Sequence, residues 1–282
     1  MKASGPPASG GAPGAIVGHM TGRKTAIVTG ASSGIGEHVA RLLAARGYDL
    51  VIVARRLERL EALEKEIEAK HGVAVTPVKL DLSANGAAET LFAQTEGAGM
   101  EVEVLINNAG FGTQAHFPTI PWAKTAEQIQ LNVVALTELT WRFLSTMKAR
   151  DRGFVLNVAS IGAYLPVPGY STYAAGKAYV RNFSEALAHE LRGTGVRVCC
   201  LCPGATLTEF TDVAGHKVPE WQKITMMSAE RCARVGVSAL FSGRRLIVSG
   251  FWNTVTMWML RWLPRRIATW CAAIFMEGPR PA

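Results

Sequence analysis

Short apolar runs alternate with longer amphipathic segments over most of the chain. The first run covers 25–29, a glycine-rich stretch follows it, and apolar residues then recur at helical spacing over 35–46. The same alternation predicts further strands at 49–53, 75–80, 102–106, 154–158, 196–201 and 246–249, and helices at 57–71, 85–96, 123–149 and 172–192. Strands that are apolar throughout are typical of a parallel sheet covered by helices on both faces. We therefore expect an α/β fold built as one doubly wound parallel sheet of about seven strands.

The two ends of the 282-residue chain do not follow this alternation. Gly and Pro supply nine of the first 22 residues, and no apolar run typical of a secretory signal is present there. We interpret 1–22 as a disordered tail, with 1–19 as a leader or an over-extended start before Met20. The remainder divides into a catalytic domain at 23–250 and an extension at 251–282.

The charge distribution narrows the range of partners. The formal net charge is +8, which favours nucleic acid, a membrane surface or phosphorylated ligands. The last 39 residues hold six arginines against one glutamate, a net charge of +5, together with four of the seven tryptophans. The rest of the chain is close to charge balance and has no basic stripe with interleaved aromatic residues. We therefore expect no nucleic-acid partner.

The C-terminal extension has a helical pattern of its own. Trp252, Trp258 and Trp262 recur at helical spacing, Pro264 interrupts the pattern, and a second helix is predicted at 265–275. Three roles remain open for this extension: packing on its own subunit or over its pocket, an interface in a homodimer or homotetramer, and contact with a membrane surface. Its longest uncharged run, 246–260, is shorter than the roughly 20 apolar residues of a transmembrane helix.

The glycine-rich stretch after the first strand has the features of a phosphate-binding loop. It reads Thr-Gly-Ala-Ser-Ser-Gly-Ile-Gly over 29–36 and leads directly into the first helix. Glycines let the backbone approach a pyrophosphate, and the helix N-terminus supplies free N–H groups and the positive end of a dipole. The sequence therefore predicts a dinucleotide cofactor at this turn.

The end of the second strand predicts which dinucleotide binds. An acidic side chain at this place would hold the ribose 2′-hydroxyl of NAD, but the sequence has Ala54, Arg55 and Arg56. A guanidinium can bind a 2′-phosphate with two parallel hydrogen bonds. We therefore expect NADP(H) as the cofactor.

A tyrosine and a lysine stand four residues apart at Tyr173 and Lys177, on one face of the predicted helix 172–192. A cation about 4 Å from a phenol, at an effective dielectric constant near 20, lowers its pKa by about three units. Lys177 is therefore expected to bring Tyr173 into a range useful for acid–base catalysis.

The order and spacing of several motifs resemble those of the short-chain dehydrogenase/reductases in their ordinary-length, single-domain Rossmann form. The resemblance covers about 24–250. It rests on the loop at 29–36, Asn107–Gly110, Asn132, Ser160, the Tyr173/Lys177 pair and Pro203–Gly204.

The resemblance implies a role for each matching position. Tyr173 would be the general acid or base, Ser160 would hold the carbonyl oxygen, Lys177 would assist Tyr173 and bind the nicotinamide ribose, and Asn132 would hold a relay water. Together with Tyr173 and Lys177, the residues implied in cofactor binding are Gly30, Ser32, Ser33, Gly34, Ile35, Gly36, Arg55, Arg56, Asp81, Leu82, Asn108, Ala109, Gly110, Pro203, Gly204 and Thr208.

The resemblance also implies the reaction, the hydride-transfer interconversion of a ketone or aldehyde and an alcohol. We expect a small hydrophobic substrate held by Ser160, Tyr164, Phe210 and Trp221. An oxidative lipid or steroid alcohol dehydrogenase and a non-catalytic dinucleotide sensor are the alternatives.

Cysteine and histidine patterns add two expectations. The histidines and cysteines show no metal-ligand spacing, so no metal site is predicted. The five cysteines are expected to be reduced thiols of a cytoplasmic protein, which associates with a membrane if the extension binds lipid.

Overall fold

The computed structural model of the chain describes residues 23–210, 214–215 and 226–277. The predicted tail at 1–22 therefore lies outside the described residues. Nine strands form within them: β1 (Thr25–Thr29), β2 (Asp49–Ala54), β3 (Val75–Lys79), β4 (Val102–Asn107), β5 (Gly153–Val158), β6 (Val196–Cys202), β7 (Thr206–Leu207), β8 (Met227–Ser228) and β9 (Leu246–Val248).

Seven of these strands form one parallel sheet in the order β3-β2-β1-β4-β5-β6-β9. The short strands β7 and β8 pair with each other beyond the end of β6, an element that the apolar pattern did not predict. The expected doubly wound α/β sheet of about seven strands is confirmed.

The helices lie close to their predicted positions, with two differences: the apolar pattern predicted no helix at 229–241, and it predicted one continuous helix at 123–149. They are α1 (Gly34–Ala44), α2 (Leu57–His71), α3 (Ala87–Gln94), α4 (Trp122–Ile129), α5 (Leu136–Ala149), α6 (Ser171–Glu190), α7 (Ala229–Phe241), α8 (Phe251–Leu260) and α9 (Arg265–Glu277). The helix predicted at 123–149 is divided by a π-helical segment, Gln130–Ala135, which separates α4 from α5. None of the described helices has the length and apolar character that crossing a bilayer requires.

Alternate residues of each strand supply the two faces of the core, as the period of two along a strand requires. In β1, Ala26 and Val28 pack with α1, α2 and α7, whereas Ile27 packs with α3 and α5 on the opposite face. Both layers consist of buried apolar side chains, and the Phe143 ring in the second layer is fully buried. The uniformly apolar strands are therefore explained by burial on both sides.

The strand order reverses direction between β1 and β4, and a compact set of hydrogen bonds joins the ends of these two strands. The Thr29 hydroxyl donates to the Ile106 carbonyl at 3.0 Å and accepts from the backbone N–H groups of Asn108 and Ala109. The Asn108 side-chain amide donates to the carbonyls of Thr29 and Gly30, at 2.9 and 3.1 Å. This polar contact fixes the carboxyl ends of the two strands around which the site is built.

Helix α1 approaches this contact so closely that only glycine fits at position 36. A Cβ atom there would overlap the Gly30 carbonyl and the Asn108 side-chain amide. We expect Gly36→Ala to lower the free energy of unfolding by about 1–3 kcal/mol, because the backbone of Gly30 would have to shift.

The matched control is Gly97→Ala, where the nearest atom to an added Cβ is a carbonyl oxygen at an ordinary 3.4 Å. Its effect should stay within about 0.5 kcal/mol. Chemical denaturation of both variants measures the difference, and equal losses in the two would contradict the close-approach argument.

Candidate active site

Most of the predicted site residues lie at the carboxyl ends of the parallel strands, where doubly wound sheets bind their ligands. The loop at 29–36 follows β1, Arg55 and Arg56 follow β2, and Asp81 follows β3. Asn108–Gly110 follow β4, Ser160 follows β5, and Pro203–Gly204 follow β6. The sheet thus brings to one edge residues that are far apart in the sequence.

Tyr173 and Ser160 form the centre of this edge. The two side chains are neighbours: a Cβ atom at Gly162 would lie 3.5 Å from the Ser160 Oγ and 3.9 Å from the Tyr173 ring, and the Ser160 oxygen accepts from the Gly162 N–H at 3.1 Å. Burial raises the pKa of Tyr173 to about 12, while the nearby Ser160 hydroxyl acts in the opposite direction. Tyr173 is therefore protonated throughout the neutral range and is ready to donate a proton.

This result corrects the expected influence of Lys177. The Lys177 nitrogen lies 5.7 Å from the centre of the Tyr173 ring, and burial raises the pKa of Tyr173 where the sequence had predicted a lowered value. Burial also lowers the pKa of Lys177, to about 8. Both shifts favour the uncharged form, as expected for two groups that are removed from water.

The Lys177 side chain is hydrogen-bonded to the last residue of β5. Its side chain is 4% exposed, and its Nζ donates to the Val158 carbonyl at 2.7 Å. A Cβ atom at position 110 would lie 3.5 Å from this nitrogen and 2.8 Å from the Asn132 Oδ1. Gly110 thus leaves open the space between Lys177 and Asn132.

Asn132 lies in the π-helical segment and is fixed by two hydrogen bonds. Its Oδ1 accepts from the Phe111 N–H at 3.1 Å, and its Nδ2 donates to the Phe111 carbonyl at 2.8 Å. The extra residue in a π-helical turn is a common device at functional sites. Here it places an amide that is 2% exposed beside the loop that follows β4.

The phosphate-binding loop fits a dinucleotide. Ser33 is the N-cap residue of α1, yet its side chain makes no capping hydrogen bond, so the first N–H groups of the helix are not capped by it. Arg56 extends over the loop and donates from Nη2 to the hydroxyls of Ser32 and Ser33, at 3.1 and 2.9 Å. Uncapped N–H donors beside a guanidinium form a set suited to the phosphates of NADP(H).

The two arginines predicted to read the 2′-phosphate differ in their surroundings. Arg55 faces two carboxylates, with Nη1 3.2 Å from Glu127 and 3.8 Å from Asp81. Arg56 faces the loop hydroxyls and one carboxylate, that of Glu209, at 2.8 Å. Arg56 is therefore the better placed of the two to hold a phosphate of the cofactor.

The remaining predicted cofactor residues lie at the same edge of the sheet, and their contacts differ. The Asp81 carboxylate accepts from the N–H and hydroxyl of Ser83, whereas Leu82 is buried in the core with Val53 and Val78. Thr208 lies against Gly34, since a Cβ there would be 3.0 Å from the Thr208 methyl group. Gly204 lies so close to the Asn253 side chain that an added Cβ would overlap it.

The predicted substrate residues are only partly brought together. Phe210 packs against Tyr173, with 5.2 Å between the ring centres, and a Cβ at Gly112 would contact both rings. Tyr164 does not share this contact: its ring packs beside Cys200 and Cys202, with the Arg181 guanidinium 4.3 Å from the ring centre. Trp221 lies outside the described residues.

The structure adds residues that the sequence did not predict. Tyr170 takes the place expected of Tyr164, with its ring centre 5.9 Å from that of Tyr173. Glu209 joins Arg56 and Arg59, and these two guanidiniums lower the pKa of its carboxyl to about 2. Tyr170 could have been predicted, because it lies three residues before Tyr173 on the chain. Glu209 could not, because no local sequence pattern connects it with Arg56 and Arg59, which lie about 150 positions away.

The cysteines are structural where they are buried. Cys199, Cys200 and Cys202 are fully buried, and burial raises the pKa of the Cys199 thiol to about 12. A thiol with so high a pKa is neither a nucleophile nor a ready metal ligand. In the described part of the chain, no cluster of histidine, cysteine and acidic residues has the arrangement of a metal site.

Comparisons with known proteins identify the family. The family model for short chain dehydrogenase matches residues 24–219. An uncharacterised oxidoreductase of Myxococcus xanthus is 37% identical over 197 residues, which cover 70% of this chain and 77% of the relative.

Two solved structures have the same fold. One, from work on 7beta-hydroxysteroid dehydrogenase stereoselectivity, has a TM-score of 0.82 at 28% identity and covers 89% of this chain and 96% of its own. The other is a short-chain dehydrogenase from Sphingobium yanoikuyae in complex with NADPH. It has a TM-score of 0.76 at 28% identity, and the match covers 86% of this chain and 97% of the other. The NADPH complex agrees with the cofactor predicted from the sequence. The chain therefore belongs to the short-chain dehydrogenase/reductase family of oxidoreductases.

Proposed function

We propose that the chain interconverts a ketone or aldehyde and an alcohol with NADP(H), with Tyr173 as the acid in reduction and the base in oxidation. The observation that carries this proposal is that Tyr173 and Ser160 lie side by side at the strand ends next to the phosphate-binding loop, with the Lys177 nitrogen 5.7 Å from the centre of the Tyr173 ring. The bound cofactor supplies the hydride. The residues of the chain position the carbonyl group and supply the proton.

Ser160 and Tyr173 divide the work at the substrate oxygen. Two neighbouring hydroxyls can both donate to one carbonyl oxygen, which stabilises the negative charge that develops there. Tyr173 then gives its proton to that oxygen. Because burial raises the pKa of Tyr173 to about 12, the phenol keeps its proton at neutral pH, which is the form that reduction requires.

Lys177 and Asn132 support the proton transfer at Tyr173. With a pKa of about 8, Lys177 is largely protonated at neutral pH and places a cation beneath the Tyr173 ring. The space that Gly110 leaves between Lys177 and the Asn132 Oδ1 suits a water molecule with polar partners on both sides. Through such a water, the proton that Tyr173 gives up would be replaced.

We further propose a hydrophobic, uncharged substrate. The rings that pack around Tyr173 are those of Phe210 and Tyr170, Gly112 lies against all three, and there is no charged side chain among them. Apolar lining with a few convergent hydroxyls is the usual composition of a pocket for an uncharged ligand. The similarity to a structure from work on a hydroxysteroid dehydrogenase supports the same substrate class.

The first test removes the proposed proton donor. We expect Tyr173→Phe to lower kcat/KM for reduction of a hydrophobic ketone by on the order of 10²–10⁴-fold, because the phenylalanine ring has no proton to give. NADPH binding, followed by fluorescence titration, should stay within a few-fold of the parent.

Tyr179→Phe is the matched control, since Tyr179 lies on the same helix and its hydroxyl contacts only the Thr137 hydroxyl among the described partners. Its activity should be unchanged. If Tyr173→Phe retained substantial activity, Tyr173 would not be the proton donor.

The second test separates the two arginines. We expect Arg56→Ser to weaken NADPH binding by about 10–100-fold while NADH binding stays the same, because a charge-assisted contact to the 2′-phosphate is lost. Arg55→Ser should have a smaller effect, since the Arg55 guanidinium is already shared between Glu127 and Asp81. Titration of both cofactors against both variants measures this, and a larger loss for Arg55→Ser would reverse the assignment.

The third test concerns Glu209, whose carboxylate competes for Arg56. We expect Glu209→Gln to tighten NADPH binding about two- to five-fold, because removal of an exposed ion pair leaves the guanidinium free for phosphate. Glu230→Gln, which breaks the exposed pair with Arg234, serves as the control and should leave the affinity unchanged. Weaker NADPH binding in Glu209→Gln would show instead that Glu209 holds Arg56 in its binding position.

A further inference from the structure

The two C-terminal helices carry an unusual concentration of exposed apolar side chains. Of the sixteen large hydrophobic residues that are exposed in the described part of the chain, nine lie between 251 and 274. We call these nine the C-terminal surface: Phe251, Trp252, Trp258, Met259, Trp262, Leu263, Ile267, Trp270 and Ile274. Its four tryptophans are 60–77% exposed, so the described chain does not cover them. A patch of this kind marks an interaction surface.

Each of the two helices has a buried side: Met257 of α8 and Ala268 and Ala272 of α9 are buried. At the start of α8, the Asn253 Nδ2 donates to the Ser249 carbonyl at 2.8 Å, and the same side chain lies against Gly204. Helix α8 is therefore attached to the loop that follows β6.

The charges interspersed in the C-terminal surface are all positive. Arg261, Arg265 and Arg266 are exposed, no acidic residue occurs from 251 to 274, and Arg244 and Arg245 precede the helices. Among the described residues none of these five arginines takes part in an ion pair, whereas Arg41, Arg142, Arg150, Arg181 and Arg234 all pair with glutamates. The surface thus combines exposed tryptophan with unneutralised arginine.

These properties distinguish between the two partners that such a surface could take. A second copy, packed symmetrically on it, would bring three more arginines and no acid, so that like charges would be buried against each other. A membrane with anionic lipids offers phosphates to the arginines, an interfacial zone to the tryptophan rings and hydrocarbon to Met259 and Ile267. We propose that the C-terminal surface binds the surface of an anionic lipid bilayer, as a peripheral contact and not as a span.

The primary test uses the full chain and vesicle cosedimentation. Vesicles of phosphatidylcholine alone are compared with vesicles that also contain phosphatidylserine. We expect binding to the mixed vesicles to be stronger by on the order of 100-fold, from about a five-fold contribution of each of three arginines. The preference should fall as salt is raised, because salt screens exposed charges. Absence of the full chain from both vesicle pellets would overturn the proposal.

Two sets of variants locate the binding to this surface. The combined variant Trp252→Ser, Trp258→Ser and Trp262→Ser should lose at least about 10-fold in binding to mixed vesicles. The control, Trp122→Ser with Trp141→Ser, removes two tryptophans that are equally exposed, 72% and 68%, but lie on α4 and α5, and it should bind as the parent does. Thermal unfolding of each variant checks that the fold is kept.

A charge series completes the test. Arg261→Gln, Arg265→Gln and Arg266→Gln together should remove the preference for phosphatidylserine, whereas Arg234→Gln should keep it. Analytical ultracentrifugation without lipid examines the competing partner. If the three tryptophan substitutions dissociated an oligomer and left vesicle binding unchanged, the C-terminal surface would be an interface between copies and the lipid proposal would be wrong.

Discussion

The hydrogen bonds between Thr29 and Asn108 are the constraint on which the rest of the site depends. They join β1 to β4, the two neighbours between which the strand order reverses, and so define the crevice where a doubly wound sheet binds its ligand. The Asn108 side-chain amide donates hydrogen bonds to the carbonyls of both Thr29 and Gly30. Helix α1 can approach this contact because Gly36 has no side chain. One polar contact thus sets the position of the phosphate-binding loop, the direction of α1 and the start of the segment that carries Gly110.

The predicted catalytic groups are attached to this frame by backbone atoms more than by each other. The Val158 carbonyl holds Lys177, the backbone of Phe111 holds Asn132, and the Gly162 N–H holds Ser160. Burial shifts the pKa of Tyr173 upward, to about 12, and that of Lys177 downward, to about 8, so that the two values lie further apart than their ordinary values of 10.0 and 10.5. Lys177 is therefore the stronger acid of the two, which favours transfer of a proton from Lys177 toward Tyr173 over the reverse.

The sequence allowed the sheet and most of the site to be predicted because both depend on local pattern. Apolar runs ended within about a residue of the observed strands, and the loop motifs adjoined strand ends, whereas Asn132, Tyr173 and Lys177 lie in helical segments. The π-helical segment at 130–135 could not be predicted, since one inserted residue leaves no mark on an apolar helix pattern. The position of the Tyr164 ring beside Cys200 and Cys202, apart from Tyr173 and Phe210, depends on tertiary packing and could not be predicted either. The same holds for Arg59 and Glu209, which only the fold brings together.

The excess positive charge is concentrated in the C-terminal helices in the structure, as it is in the sequence. Along the helices of the catalytic domain, arginines lie three or four residues from glutamates or opposite them on a neighbouring element, and the net field of that part is small. Around the cofactor edge, Glu209 neutralises part of the charge of Arg56 and Arg59, so the phosphate competes with a carboxylate for Arg56 and does not meet a bare cation. Over 244–274 no acid is available for such a balance. Arginines that pair with no acid among the described residues lie here beside exposed tryptophans, and α8 contacts the loop after β6 through Asn253. This combination is the reason for proposing that the partner of the C-terminal helices lies outside the chain.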